Sequence, residues 1–305
     1  MNILEIKDLH MSFGSNEVLR GLDMVVPENS VFGFVGKNGA GKTTTMKIIL
    51  GLLKPDQGTV MVCGEKVTYG SSRTNRHIGF LPDVPEFYSY MRPLEYLHLC
   101  GEIAGLSRER IKERSVELLE LVGLGDVNRR ISGFSRGMKQ RLGIAQALIT
   151  EPRLLICDEP TSALDPIGRR QILDILAALK GRTTVVFSTH ILSDVERICD
   201  QVAILDGGKL VVSGPIFELR RRYRRNSFSV RFSSPEEAAR FAALSALQQP
   251  TISVIVDGDT LTVASADQNG TGQLLISLFS SEGIVPEKFE VLEPTLESLF
   301  EEVVQ

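Results

Sequence analysis

Hydrophobic and polar positions follow two different patterns along the chain, and the change falls near residue 220. Residues 1–219 alternate short β-rich apolar runs with stretches of helical periodicity, which predicts an α/β domain. The apolar runs at 31–35 and 154–157 predict strands buried in a parallel sheet, and a further apolar strand is expected at 183–187. We therefore place a first domain at 1–219 and a second at 220–305.

The second domain has its own order of elements. Its pattern predicts, in order, a half-buried strand at 227–232, a helix opened by Ser234-Pro235, two strands joined by an Asp257-Gly258 turn, a helix at about 271–281 and a strand at about 287–292. The order β-α-β-β-α-β predicts a small α+β domain of the ferredoxin-like kind. A last amphipathic helix is expected after Pro294.

The boundary between the domains is placed at 220–225, where five of six residues are arginine. A solvated helix end is the favoured interpretation of this segment, and contact with anionic lipid headgroups or with the acidic face of a partner is the alternative. The second domain itself shows no candidate chemistry, because it contains no His, no Cys and no carboxylates at ligand spacing.

The composition of the 305-residue chain narrows the class of protein. Apolar types make up 43% and charged types 24%, which excludes a disordered or fibrous chain. The net charge of −4 argues against a general nucleic-acid binder, and no apolar run approaches the length of about 18 residues that a membrane-spanning helix needs. The four cysteines form no CxxC pair, which predicts reduced thiols in a cytosolic protein. Glu5, Lys7 and Asp8 interrupt the apolar residues of the N-terminal segment, which argues against a secretory signal.

The strongest local signal is a glycine-rich loop between a predicted strand and a predicted helix. Its residues match the pattern GxxxxGK[ST], in which glycines let backbone N–H groups face phosphate oxygens: Gly36, Lys37, Asn38, Gly39, Ala40, Gly41, Lys42, Thr43 and Thr44. The helix is predicted over 43–53, and its N-terminus adds partial positive charge. We expect Lys42 to reach the β- and γ-phosphates of ATP and the Thr43 hydroxyl to bind Mg²⁺.

Two acidic residues follow the apolar run at 154–157. Asp158 and Glu159 stand at the carboxyl end of a predicted parallel strand, where open α/β sheets bind their ligands. Asp158 is the candidate for the magnesium shell, and Glu159 is the candidate for orienting or deprotonating the attacking water. An acidic strand end is a weak signal by itself, but it becomes a strong one in combination with the phosphate loop.

About 115 residues separate these two motifs, and the interval contains Phe134-Ser135-Arg136-Gly137-Met138. With these three motifs the chain resembles the nucleotide-binding subunits of ATP-binding cassette (ABC) transporters over 1–219, and more weakly beyond. The family signature, LSGGQ, is altered here at its first, third and fifth positions, while Ser135 and Gly137 are kept. Arg136 and Met138 are similar to the variant of the drug-resistance and antibiotic-export branch.

The resemblance implies further site residues, each at a position that matches a family motif. Ser135 and Gly137 are expected to face the γ-phosphate of an ATP bound by a second subunit, so that two copies enclose two ATP molecules. Asp165 belongs to the loop that crosses the dimer interface, and His190 is expected to contact the γ-phosphate. Phe13 matches an aromatic residue that stacks on adenine, and a core or exposed Phe without that role is the equal alternative.

One departure from the family concerns the metal. The family usually has Gln after the strand predicted at 78–81, as a contact to magnesium and water, whereas this chain has Asp83. Our hypothesis is that Asp83 replaces it as a direct or water-bridged ligand. The neighbouring aromatic residues predict either a docking surface for a membrane subunit or the core of a helical subdomain: Phe80, Phe87, Tyr88, Tyr90 and Tyr96.

The resemblance implies an α/β P-loop NTPase, an ABC cassette with a core sheet and a helical subdomain, that hydrolyses ATP with Mg²⁺. It implies a homodimer of cassettes that forms on ATP binding and powers a separate transmembrane permease. Such a subunit is expected in the cytoplasm, peripheral on the inner face of the cell membrane, with no nucleic-acid partner. The signature variant and the additional C-terminal domain favour export, and the cargo stays open.

Two other function classes are weighed against this one. A soluble ABC-type ATPase acting on nucleic acid or ribosomes typically carries two cassettes or a large insertion, whereas this chain has one phosphate loop and no internal repeat. A regulatory module that binds ATP without hydrolysis is disfavoured by the joint presence of Lys42, Asp158, Glu159 and His190.

Overall fold

The structure, a computed structural model, describes residues 1–222, 226–265, 267–292 and 296–303. Its backbone contacts divide into a first unit, Met1–Ile216 with the described residues from Phe300 onward, and a second unit, Phe217–Leu299. The domain boundary at 219–220 stays a prediction. Three residues of the arginine-rich segment, Tyr223, Arg224 and Arg225, lie outside the described residues.

The first unit begins with an antiparallel sheet of four strands. These are β1 (Asn2–Phe13), β2 (Asn16–Pro27), β4 (Gln57–Val62) and β5 (Glu65–Lys66), in the order β2-β1-β4-β5. Apolar side chains of β1 and β2, such as Leu4, Ile6 and Met24, are buried in one core with Phe32 and Phe34 of the second sheet. This packing brings β2 close to the loop that follows the first strand of that sheet.

The second sheet carries the candidate site. Its strands are β3 (Val31–Gly36), β6 (Ile78–Leu81), β7 (Leu154–Asp158), β8 (Thr184–Thr189), β9 (Gln201–Asp206) and β10 (Lys209–Pro215), in the order β10-β9-β3-β8-β7-β6. All neighbouring pairs are parallel except β10 with β9. The strands β3, β7 and β8 are buried along their whole length, which confirms the prediction from their apolar runs. The carboxyl ends of β3, β6, β7 and β8 therefore meet at one edge.

The helices up to residue 222 are α1 (Lys42–Ile49), α2 (Pro93–Ile103), α3 (Arg108–Leu121), α4 (Arg136–Ala147), α5 (Pro166–Ala178), α6 (Leu192–Ile198) and α7 (Ile216–Arg222). The prediction that α1 reaches residue 53 is wrong, since the helix ends at Ile49. Gly51 adopts a φ of +70°, a left-handed conformation in which glycine commonly ends helices.

Helices α2, α3 and α4 pack on one another and form the predicted helical subdomain. The aromatic residues near its start divide between the two interpretations. Tyr96 is buried and its ring meets that of Phe87 edge-on at 5.1 Å, so it belongs to the core. Tyr88 and Tyr90 are 55% and 65% exposed and remain available to a partner.

The second unit confirms the predicted order of elements. It contains β11 (Asn226–Arg231), α8 (Pro235–Ala242), β12 (Ile252–Asp257), β13 (Thr260–Ser265), α9 (Gln268–Glu282) and β14 (Lys288–Leu292), and α10 (Leu296–Val303) follows. The antiparallel sheet has the order β12-β13-β11-β14, as in ferredoxin-like domains. The Ser234 hydroxyl caps α8 by accepting from the N–H of Glu237. Pro294, the predicted opening of the last helix, lies outside the described residues.

Candidate nucleotide site

The glycine-rich loop joins β3 to α1 in a conformation that glycine permits. Gly39 and Gly41 have φ values of +84° and +112°. A Cβ atom at Gly36 would lie 2.6 Å from the carbonyl oxygen of Leu205 on the neighbouring strand β9. Gly41 supplies no side-chain cap to α1, so the first N–H groups of that helix keep their hydrogen-bonding capacity for a ligand.

A cavity of about 590 Å³ lies against this loop. Its lining comes from β2, the glycine-rich loop with the start of α1, the segment after β6, and the end of β7 with the residue that follows it: Asn16, Val18, Asn38, Gly39, Gly41, Lys42, Thr43, Thr44, Asp83, Asp158 and Glu159. The structure thus brings the predicted phosphate loop, both predicted carboxylates and Asp83 together. Asn16 and Val18 were missed from the sequence, because only the packing of the two sheets brings β2 to the loop.

Glu159 lies between a lysine and a histidine. The ammonium of Lys42, which is 5% exposed, lies 3.2 Å from Oε1 of Glu159. It also donates to the carbonyl oxygen of Gly36 at 2.6 Å. The other carboxylate oxygen of Glu159 lies 3.0 Å from Nδ1 of His190, which follows β8. Glu159 has a φ of +46°, an uncommon conformation for a residue with a side chain, and it turns the chain out of β7 towards these partners.

Asp158 is held by hydroxyl groups on both sides. The Thr43 hydroxyl donates to Oδ2 of Asp158 at 2.8 Å, and the Ser188 hydroxyl donates to Oδ1 at 2.6 Å. Ser188 also accepts from the backbone N–H of Glu159 at 3.0 Å. Ser188 was not predicted from the sequence, although its position two residues before His190 on the adjacent strand is a usable signal.

The residues around Asp158 fit a magnesium ion. Thr43 and Asp158 present neighbouring hard oxygen atoms, and Mg²⁺ typically binds through one or two carboxylates together with substrate phosphates. Within the described ranges no group of three or more His, Cys, Asp or Glu side chains is arranged to hold a metal without a further ligand. Burial and the neighbouring Asp158 raise the pKa of the Cys157 thiol, so this residue stays protonated and is no competing ligand.

Asp83 lines the cavity, but its carboxylate also has a partner on α4. Its Oδ1 lies 3.3 Å from Nη2 of Arg136. The carbonyl oxygen of Asp83 accepts from Nε2 of the buried Gln140 at 2.6 Å. The hypothesis that Asp83 contacts the metal stays a prediction.

The remaining predicted residues do not line this cavity. Ser135 caps α4 by accepting from the N–H of Met138 at 3.2 Å, and Asp165 caps α5 by accepting from the N–H of Gly168 at 3.3 Å. Both caps are exposed. Phe13 is 49% exposed and also lies outside the lining. None of these three residues lines the cavity of its own subunit.

Two family descriptions match the chain in succession. Residues 19–162 match the family described as ABC transporter, and residues 214–304 match the family described as ATP-binding protein DrrA1-3-like, C-terminal domain. The ABC transporter ATP-binding protein YxlF of Bacillus subtilis (strain 168) is 38% identical over 304 residues, which is 99% of each chain. The chain belongs to the ABC transporter ATP-binding family.

Other relatives agree with this assignment. The bacitracin transport ATP-binding protein BcrA of Bacillus licheniformis is 40% identical over 226 residues, 73% of each chain. A solved ATP-binding cassette of an ABC transporter in its ADP conformation superposes with a TM-score of 0.66 at 26% identity, covering 72% of this chain and 92% of that one.

The ABC family assignment fixes the general activity. The subunit is an ATPase whose hydrolysis powers transport through a separate membrane permease. These relatives give no support to the alternative of an ATPase that acts on nucleic acid or ribosomes. In the described part of the chain, every helix is too short or too polar to span a membrane.

Proposed function

We propose that the ABC subunit binds ATP with Mg²⁺ in the cavity beside the glycine-rich loop, forms a homodimer around two ATP molecules and drives an export permease. The arrangement of Glu159 between Lys42 and His190 carries this proposal. It brings a carboxylate, an ammonium group and an imidazole ring together beside a loop whose N–H groups suit phosphate.

Each residue of the site has a role in this proposal. Lys42 binds the β- and γ-phosphates, and the loop N–H groups bind the remaining phosphate oxygens. Thr43 and Asp158 hold Mg²⁺, which when bound neutralises phosphate charge. Glu159 orients the water that attacks the γ-phosphorus and accepts its proton as the bond to the leaving oxygen of ADP breaks, while His190 contacts the γ-phosphate.

Glu159 has a free oxygen for this task. Its Oε1 is buried and forms no hydrogen bond with the described residues, and the ammonium of Lys42 lies 3.2 Å away. Since a buried polar atom without a hydrogen bond is unfavourable, this oxygen is suited to accept a hydrogen bond from the attacking water. Lys42 is then drawn towards the phosphates as they enter.

Two helix N-termini outside the subunit's own cavity support the proposed homodimer. Ser135 and Gly137 lie at the N-terminus of α4, where N–H groups and the helix dipole favour an anion. Asp165 lies at the N-terminus of α5. We propose that Ser135 and Gly137 contact the γ-phosphate of the ATP that the second subunit binds. Asp165 is proposed to lie at the dimer interface, and Phe13 to stack on the adenine ring.

The partner and direction of transport rest on the relatives. The subunit is proposed to act in the cytoplasm on the inner face of the cell membrane, bound to its permease. Export is favoured because a relative from Cupriavidus metallidurans, 36% identical over 219 residues, is named Nod factor export ATP-binding protein I.

The proposal is tested with Glu159→Gln, with Glu102→Gln on the exposed face of α2 as the matched control. Without its base, the Glu159 variant is expected to bind Mg²⁺-ATP, to lose about 100-fold or more in turnover and to elute as a dimer when ATP is present. The Glu102 variant is expected to behave like the wild type. Phosphate release and size-exclusion chromatography with light scattering give the two readouts.

Two outcomes contradict the proposal separately. Undiminished turnover of Glu159→Gln removes Glu159 from catalysis. A Glu159 variant that is saturated with ATP and still elutes as a monomer argues against the two-subunit sandwich. The variant Lys42→Ala is expected to lose ATP binding, because the ammonium is the only cation that lines the described cavity.

A further inference from the structure

Two departures from the family pattern contact each other in this chain. Asp83 stands where the family usually has Gln, and Arg136 stands at an altered position of the signature. Their side chains form an ion pair, with 3.3 Å between Oδ1 of Asp83 and Nη2 of Arg136. The two residues are 53 positions apart, and their contact joins the segment after β6 to the first residue of α4.

Asp83 adds a negative charge at a place that must accept a polyanion. Four charged residues line the cavity. Lys42 is the basic one, and Asp83, Asp158 and Glu159 are acidic. In the proposed function Mg²⁺ offsets the charge of Asp158, and Lys42 lies beside Glu159 before ATP enters. An unpaired carboxylate at position 83 would repel the phosphates of ATP, since like charges in a partly buried site interact unfavourably. Arg136 supplies the missing positive charge.

The backbone of Asp83 is fixed independently of this ion pair. Its carbonyl oxygen accepts a hydrogen bond of 2.6 Å from Gln140, which is fully buried in α4. Removing either charge therefore leaves the main-chain tether between the loop and the helix in place. The charge of Asp83 and the position of its loop are separable in an experiment.

We propose that Arg136 is a positioning residue for ATP binding: it draws the Asp83 carboxylate to α4 and offsets its charge, so that the phosphate cavity accepts ATP. The inference rests on the proposed function of the cavity. It does not rest on the homodimer, because both residues and the cavity belong to one subunit.

The test measures the affinity of the full chain for ATP by titration at low salt. The protein is diluted until size-exclusion chromatography shows a monomer. Arg136→Gln is expected to weaken Mg²⁺-ATP binding about two- to five-fold, the range of a half-exposed ion pair. Asp83→Asn in the Arg136→Gln background is expected to restore the affinity to that of wild type. The loss is expected to shrink at high salt, because exposed charges are screened.

Lys139→Gln is the matched control. Lys139 lies on the same helix and lines the same groove as Arg136. Among the described residues, Asp83 forms its ion pair with Arg136 and not with Lys139. If any positive charge on α4 attracts ATP, Arg136→Gln and Lys139→Gln will lose the same affinity for ATP. That result overturns the proposal. Equal thermal midpoints of Arg136→Gln and wild type are expected, since an exposed pair adds little stability.

Two further outcomes overturn the inference. Additive effects of the Asp83 and Arg136 changes mean that the pair has no joint role. A loss of Mg²⁺-ATP affinity in Asp83→Asn, with unchanged affinity for ATP in EDTA, makes Asp83 a metal ligand instead. Lys42→Ala distinguishes failure of this inference from failure of the proposed function. If that variant still binds ATP, the cavity is not the ATP site and the proposed function itself is contradicted.

Discussion

Ser188 contacts both acidic residues at the end of β7, and this residue decides how they are presented. It is fully buried, donates to Oδ1 of Asp158 and accepts from the N–H of Glu159. One hydroxyl thus satisfies a carboxylate and the backbone of the next residue, which has an unusual positive φ. We infer that Ser188 fixes the turn in which Glu159 points to the cavity.

Ser188→Ala is expected to lower ATP turnover about 10- to 100-fold, because a displaced catalytic group loses rate steeply with distance. The matched control is Thr183→Ala, which removes another buried hydroxyl beside the same strand, bonded to the carbonyl oxygen of Pro152 away from the site. Both variants are expected to lose about 1–3 kcal/mol of unfolding free energy.

Steady-state kinetics and denaturant unfolding separate the two effects. Ser188→Thr, which keeps a hydroxyl, is expected to recover part of the turnover. An equal decrease of turnover in the Thr183 variant would assign the effect to stability and contradict a positioning role for Ser188.

At the scale of elements, the end of β7, the start of α5 and helix α6 are joined through one buried carboxylate. Asp194 on α6 accepts from the Thr161 hydroxyl at 2.8 Å and from Nε of Arg169 on α5 at 2.6 Å. Asp194 is almost fully buried, whereas Arg169 is 30% exposed. Since a buried charge is stable only when it is paired, this network holds the segments that flank Glu159 and His190 together.

Arg169→Gln is expected to lower the unfolding free energy of the first unit by about 2–3 kcal/mol. The value lies below that of a fully buried pair because Arg169 is partly exposed and Thr161 still donates to Asp194. Arg197→Gln is the control, because its ion pair with Asp174 joins the same two helices at an exposed position. It is expected to change stability by less than about 1 kcal/mol. Equal losses in urea unfolding would refute the buried-pair explanation.

The sequence predicted the strand ends of the site better than it predicted the contacts between them. The loop at 36–44 and the pair Asp158-Glu159 have local patterns, and their lining of one cavity was expected from parallel strands. The contacts of Ser188, Asp194 and Arg136 depend on which strands and helices are neighbours. That order is β3-β8-β7-β6 here, and no local pattern encodes it. The end of α1 was missed because Gly51 outweighed an apolar face that continued past it.

At the scale of the whole molecule, the second unit has a hydrophobic core of its own. Aromatic rings contribute to this core. The ring of Phe241 stacks on that of Phe279 with 5.1 Å between the centroids, and the tilted ring of Phe232 lies 5.2 Å away on the same measure. The order of its elements could be predicted because each strand alternates and each turn carries its own residues, such as Gly258 with a φ of +57°. Its core has no residue in common with the cavity for ATP.

Phe241→Ala is therefore expected to destabilise the second unit and leave nucleotide binding unchanged. Removing this fully buried ring leaves a cavity, and the expected loss is about 3–5 kcal/mol of unfolding free energy for that unit. Calorimetry with and without Mg²⁺-ATP measures this directly, because ATP stabilises only the unit that binds it. An ATP-sensitive transition at the wild-type temperature, together with a second one at a lower temperature, is the expected result. A single transition that shifts as a whole would show that the two units unfold cooperatively, and the second unit would then contribute to the stability of the ATPase.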